Sequence, residues 1–195
     1  RFAKQVGDPK DSRGMYAAMR RYVSHRATLG STPYSLRSLE YVLREFIDWA
    51  DARAVTHPQQ VSYAVLERYR RWIYFYRKKN GQPLAIGSQA AKLTPVKSFF
   101  KWLTRSGEIP ANPASELEIP SRGAQLPKHV LTAAEVERVM AGVDVTQPLG
   151  LRDRAIMEVL YSTGMRRMEV INLHINDIDM ERSVVLIREG KGRKD

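Results

Sequence analysis

Apolar residues recur along the first half of the chain at the spacing of helical faces. Met15, Met19, Tyr22 and Val23 predict an amphipathic helix from Met15 to Ala27. Gly30-Ser31-Thr32-Pro33 breaks it, and a second helix carries Leu39, Val42, Leu43, Phe46 and Ala50 on one side. His57-Pro58 marks the next break. A third helix presents Val65, Leu66, Tyr69, Trp72, Ile73 and Tyr76 and is expected to run to Asn80-Gly81. A fourth, from about Ser88 to Arg105, buries Leu93, Val96, Phe100 and Leu103 before Gly107 stops it. Four such helices with short breaks predict a compact helical bundle over residues 1–108.

The pattern then changes. Residues 109–128 hold Pro110, Pro113, Pro120 and Pro127 with Gly123 among them, which predicts an extended linker and a domain boundary. In the second domain, residues 129–195, Thr132-Ala133-Ala134-Glu135 reads as a capping box opening a helix. A long helix is expected around Leu151–Ser162 with Gly164 as its C-cap, and a shorter one from Arg166 to Leu173. Val184–Ile187 is a short apolar strand, and Gly190-Lys191-Gly192 reads as a hairpin turn beyond it. Asp177 and Asp179 alternate with Ile178 and Met180, which suits a short strand or turn with solvated carboxylates better than a metal site. The fold class expected is mainly α with a small β-hairpin.

Charge sharpens this division. The chain carries 32 Lys and Arg against 21 Asp and Glu, a formal net charge of +11. Residues 1–122 hold 21 of those cations and 10 of the anions, so they account for the whole excess, and the remaining 11 of each sign cancel. A basic first domain fits a grip on a phosphate backbone, and equally a solvated basic surface. Lys97, Lys101 and Arg105 form a stripe at i, i+4, i+8 on the fourth helix. Arg70 and Arg71 stand on the third, and Arg37 and Arg44 on the second. Because this stripe coincides with the charge excess, duplex DNA is the favoured partner.

Several chemistries drop out. There is no cysteine, which excludes disulfides and zinc-finger or iron–sulfur ligation and fits a reducing cytoplasm. No run of about 18 apolar residues is present to span a membrane. Gly190-Lys191 is followed by Gly192 and not by Ser or Thr, so it is no P-loop. His25, His57, His129 and His174 lie far apart without metal-ligand spacing. Arg166 follows Gly164-Met165 at a helix start, where it and nearby amides can face one phosphate. Glu169, three residues on, can orient the guanidinium. An ordinary surface ion pair fits the same spacing.

Two stretches, NPASELEIPSRGAQLPKHVLTAAEVERVM and LRDRAIMEVLYSTGMRRMEVINLHINDIDMERSVVLIREGKGRKD, resemble the tyrosine recombinases of the phage-integrase family, most closely the Xer-type members. The second matches along nearly its whole length in order and spacing. The resemblance implies a SAM-like core-binding bundle followed by the first part of an α+β catalytic domain, the two closing on duplex DNA as a clamp. It implies strand cleavage by a tyrosine, a 3′-phosphotyrosyl link and a free 5′-hydroxyl. Bond energy stays in the link, so neither ATP, metal nor other cofactor is needed.

By position, Arg166 matches the first catalytic arginine, Glu169 the carboxylate near it, and Lys191 the hairpin lysine that protonates the leaving oxygen. The resemblance also implies action as a homo-oligomer on DNA, or with a related recombinase subunit. The family's His-x-x-Arg box, a later His or Trp, and the tyrosine nucleophile have no match here. The chain is therefore expected to be a fragment, inactive alone. Two other readings compete: an architectural DNA-binding protein on the same scaffold, and a helical module that binds acidic proteins.

Overall fold

A computed structural model of the chain describes residues 6–121 and 130–188. The chain divides into two compact units, Arg1–Gln125 and Leu126–Asp195.

In the first unit, α1 (Met15–Thr28) buries Met15, Ala18, Met19 and Tyr22. Thr32 caps α2 (Pro33–Asp51) by accepting from the Ser35 N–H at 3.2 Å, and Pro33 supplies a preset first turn. Leu43, Phe46, Ile47, Trp49 and Ala50 of α2 face inward. α3 (Tyr63–Phe75) adds Val65, Leu66, Tyr69 and Ile73. α4 (Ile86–Arg105) adds Leu93, Val96, Phe99, Phe100 and Leu103 despite Pro95 in its middle. An aromatic chain runs through the core: Phe46 meets Tyr69 and Phe100 edge-on, with ring centroids 5.0 and 5.8 Å apart, and Tyr69 stacks on Trp72.

Two expectations change here. α3 stops at Phe75, not at Asn80. Residues 77–80 are all polar or charged and offer nothing to bury, while the Arg77 guanidinium donates to the Tyr74 and Tyr76 carbonyls at the helix end. The chain instead turns at Gly81 (φ +75°) and closes a bridge between Arg77 and Pro83. The second change concerns the stretch read as linker. Ile109, Ala114 and Leu117 lie in the bundle core, so its first half packs as a strap. Asn112 shapes that strap by accepting from the Ala114 N–H, and Lys97 Nζ ties it to α4 by donating to the Leu117 carbonyl at 2.8 Å. The prolines shaped the sequence expectation, but three apolar side chains override it once a core is available.

In the second unit, the box expected at Thr132 is complete. Thr132 Oγ1 accepts from the Glu135 N–H, and Glu135 Oε2 accepts from the Thr132 N–H at 2.8 Å, opening α5 (Ala133–Ala141). α6 (Pro148–Thr163) follows, and Gly164 in the left-handed region (φ +65°) ends it. Gly150 admits no side chain, since a Cβ there would lie 1.8 Å from the Asp144 carbonyl oxygen. α7 (Arg167–Ile171) is one short turn, followed by a 3₁₀ turn at Ile175–Asp177. β1 (Ile178–Asp179) and β2 (Val184–Val185) pair antiparallel, Ile178 opposite Val185 and Asp179 opposite Val184. The apolar run at Val184 thus pairs backward onto Ile178. The turn expected at Gly190–Gly192 lies outside the described residues. Among the described residues, the two units are mainly helical with one small hairpin.

Candidate functional site

The reversal at Gly164 places Arg166 at the head of α7, with an extended backbone (φ −76°, ψ 149°). Glu169 faces it from the first turn of the helix. One Glu169 oxygen accepts from the Arg166 main-chain N–H and the other from Arg166 Nη1, both at 2.8 Å. A single carboxylate therefore caps the helix and orients the guanidinium. The glutamate side chain is only 9% exposed and the arginine 65%, so the anion is fixed in the protein and the fork reaches outward. Such a group can grip a phosphate oxygen from a fixed base. Lys191 lies outside the described residues, and Arg188 is the last residue before that segment.

Asp177 departs from the solvated carboxylate expected of it. It is buried, with Oδ2 accepting from the His174 N–H at 3.0 Å and Oδ1 from Arg188 Nε at 2.6 Å. The Arg188 bond, then the His174 amide, hold its carboxyl below the usual aspartate range. The alternating pattern around Asp177 could not show this, because the partner that makes burial tolerable sits eleven residues on. Among the described residues, no group of three His, Cys, Asp or Glu is arranged to hold a metal ion.

The cations of the first unit separate into distinct places. Lys101 and Arg105 flank an open cleft of about 680 Å³ between α1 and α4, together with His25, Arg26 and Trp102. The His25 ring stacks on Trp102 with centroids 5.7 Å apart, giving the cleft an aromatic wall among its cations. Lys97 does not join them, because its ammonium is occupied by the Leu117 carbonyl. Arg44 is half-buried, paired with Glu40 at 3.3 Å and lying over the Tyr16 ring. Arg37 is exposed on α2. Arg70 is engaged by Glu67 at 2.7 Å, and with Arg71 it lines a separate groove beside Tyr74, Phe75 and Ile86. His25, Arg26 and Trp102 escaped the sequence reading, which followed charge along single helices. The clue was a basic end to α1 opposite a tryptophan on α4.

Comparison with known proteins places these features. Residues 129–195 match the phage integrase family model. Over 184 residues the chain is 46% identical to tyrosine recombinase XerC 2 of Ralstonia nicotianae, covering 92% of this chain and 53% of that protein. It is 31% identical over 165 residues to tyrosine recombinase XerC of Oceanobacillus iheyensis, covering 85% and 52% respectively. The chain thus spans about half the length of the curated relatives it matches. The fold matches the integrase of transposon Tn1549, solved in complex with a circular-intermediate DNA. That match has a TM-score of 0.63 and 16% identity, over 91% of this chain and 53% of that one. A helical bundle followed by a unit of this pattern, with relatives named alike across nearly its whole length, leads to one assignment: the chain belongs to the phage-integrase family of tyrosine recombinases, among its Xer-type members.

Proposed function

We propose that this chain grips duplex DNA and activates its phosphate in a site-specific recombinase that works through a tyrosine–phosphate link. The observation that carries the reading is the Arg166 guanidinium, held outward by the Glu169 carboxylate at 2.8 Å, within the stretch that matches the family. In the reaction, a tyrosine oxygen bonds to the scissile phosphorus and the bond from phosphorus to the 5′-oxygen breaks. Arg166 stabilises the charge that builds on the pentacoordinate phosphate. Glu169 orients it, and Lys191 gives its proton to the departing 5′-oxygen. A 5′-hydroxyl from the partner strand then attacks the phosphotyrosine and the tyrosine leaves. One phosphodiester is consumed and one formed, so the exchange needs no external energy source.

DNA binding is assigned to the basic first unit, above all to the cleft of Lys101 and Arg105. Arg37, Arg70 and Arg71 supply further backbone contacts. Exchange needs cuts in two duplexes, so copies of this protein, or one copy and a related subunit, assemble on paired sites. The nucleophile is assigned to a residue outside these 195. Eight of the nine tyrosines belong to the basic unit and Tyr161 to α6, and burial pushes the Tyr69 hydroxyl far above its ordinary range.

The test is a nicked duplex that traps the covalent intermediate. A complete recombinase carrying this chain should trap it. Arg166→Ala should lower the trapping rate by about 10²–10³. The 195-residue chain alone should trap none. Trapping by Arg166→Ala at the parent rate would sink the role given to Arg166, and a link mapped to any of the nine tyrosines would relocate the nucleophile.

A further inference from the structure

His25 and His57 belong to the same unit, and their surroundings differ. His57 is saturated: Nδ1 shares a hydrogen bond with Thr56 Oγ1 and Nε2 meets Asp11 Oδ2, both at 2.9 Å. His25 is exposed in the last turn of α1, and neither of its ring nitrogens bonds to another described residue. Its ring is held from behind. Tyr22, buried beside Phe99, packs on Trp102 with centroids 5.3 Å apart, and Trp102 in turn carries the His25 ring at 5.7 Å. An imidazole backed by a ring series that starts in the core gives up little freedom when it takes a ligand.

The cleft that His25 borders is cationic. Arg26 comes from α1, Lys101 and Arg105 come from α4, and no carboxylate is among the described residues that line it. The acids of the neighbouring elements are engaged elsewhere. Glu108, beyond α4, is held by Arg21 at 2.6 Å, and Glu40 of α2 lies 3.3 Å from Arg44 and 3.9 Å from Arg20. Burial pushes the Tyr22 hydroxyl above its ordinary range, so it brings no charge. Between about pH 5 and 8, histidine is the side chain whose charge ordinarily changes. A phosphate held by the three cations favours a proton on an imidazole beside it, and the face of Trp102 suits an imidazolium.

We propose that His25 binds the DNA backbone as an imidazolium, so that duplex binding at this cleft takes up a proton. This rests on the reading of the α1–α4 cleft as a DNA site. The ligand is a backbone phosphate, so the contact adds affinity without sequence preference and tightens the grip as pH falls. The test measures duplex affinity of a complete recombinase carrying this chain at about pH 6 and about pH 8, over a range of salt. The parent should bind roughly three- to tenfold tighter at the lower pH. Its slope of log affinity against log salt should be steeper there by up to about 0.9, one phosphate contact. His25→Gln should lose both changes and stay within about threefold of the parent at the higher pH, where an ordinary imidazole is neutral. His25→Lys, charged at both values, should keep the tight affinity and steep slope throughout. Lys101→Ala/Arg105→Ala should shrink the pH response, because the same phosphate links all three side chains.

A pH response that survives in His25→Gln, a parent with the same affinity and slope at both values, or a His25→Lys variant no tighter than His25→Gln at the higher pH would overturn the assignment. If Lys101→Ala/Arg105→Ala keeps the parent's affinity and salt slope, the DNA reading of the cleft falls and takes His25 with it. If that variant binds weakly with a shallow slope while His25→Gln keeps the parent's pH response, the role of the histidine falls alone.

Discussion

Arg166 and Glu169 divide one task between a fixed anion and a projecting cation. Because the fork geometry is what Glu169 holds, charge alone should not replace it. Arg166→Lys is expected to retain duplex affinity yet lose most of the cleavage lost by Arg166→Ala, read as covalent complex formed in a single turnover. A lysine variant within about twofold of the parent would show that only a point charge is required. Asp177 adds a pH dependence of definite sign. Its folded pKa is depressed, so its stabilising effect is full above the ordinary aspartate value near 4 and fades as pH falls through the lower folded value. Exchange of the Leu186 amide, which donates to the Asp177 main chain, should therefore accelerate below about pH 4 relative to a reference amide in α2. Asp177→Asn should remove that acid step, and a step that persists in the variant would assign it to another carboxylate. The arginine–glutamate pair was legible from spacing three apart on a helix. The aspartate–arginine pair was not, because strand periodicity says nothing about a partner across a turn.

At the scale of elements, periodicity located α1, α2 and α4, and the Thr132 capping box located α5, since each needs only neighbours in sequence. It overran α3, where polar residues continue a helical composition without a face to bury, and it left the strap at Ile109–Leu117 unpacked. The basic stripe on α4 shows the same limit. Lys97, Lys101 and Arg105 share a helical spacing, yet the strap claims Lys97 and leaves the other two beside the α1–α4 cleft. Their effects on DNA binding should therefore differ in kind. Replacing Lys101 and Arg105 together by Ala should reduce the slope of log affinity against log salt by up to about 1.8, at roughly 0.9 per phosphate contact. Lys97→Ala should leave that slope within about 0.3 of the parent and instead lower thermal stability, by roughly 1 kcal/mol for a lost charge-assisted bond to a carbonyl. Equal slope changes for Lys97 and for Lys101 would return all three to a single DNA-facing stripe.

At the scale of the molecule, the two units differ in what they can bury for themselves. The first collects large side chains from all four helices and the strap around Phe46, Tyr69, Phe99 and Phe100, each fully enclosed. In the second, the buried residues among those described are Met140, Met165 and Asp177, and α6 contributes none. Leu149 and Leu151 of that helix stay 65% and 60% exposed, although its sequence is largely apolar. Ordering a residue costs about 1–2 kcal/mol, against roughly 1.5–3 kcal/mol regained for each large side chain fully buried, so the second unit has, among its described residues, far less burial to offset that cost than the first. Residues 1–125 expressed alone should therefore melt in one cooperative transition, while residues 126–195 alone should show no sharp transition and should bind a hydrophobic dye. The same division should govern DNA. All of the net +11 falls in the first unit, so that piece should bind duplex with steep salt dependence, and the second should bind weakly at every salt concentration. A cooperative melt from residues 126–195, or equal duplex affinity for the two pieces, would mean that the second unit is self-sufficient and that the charge excess is a solvated surface rather than a grip.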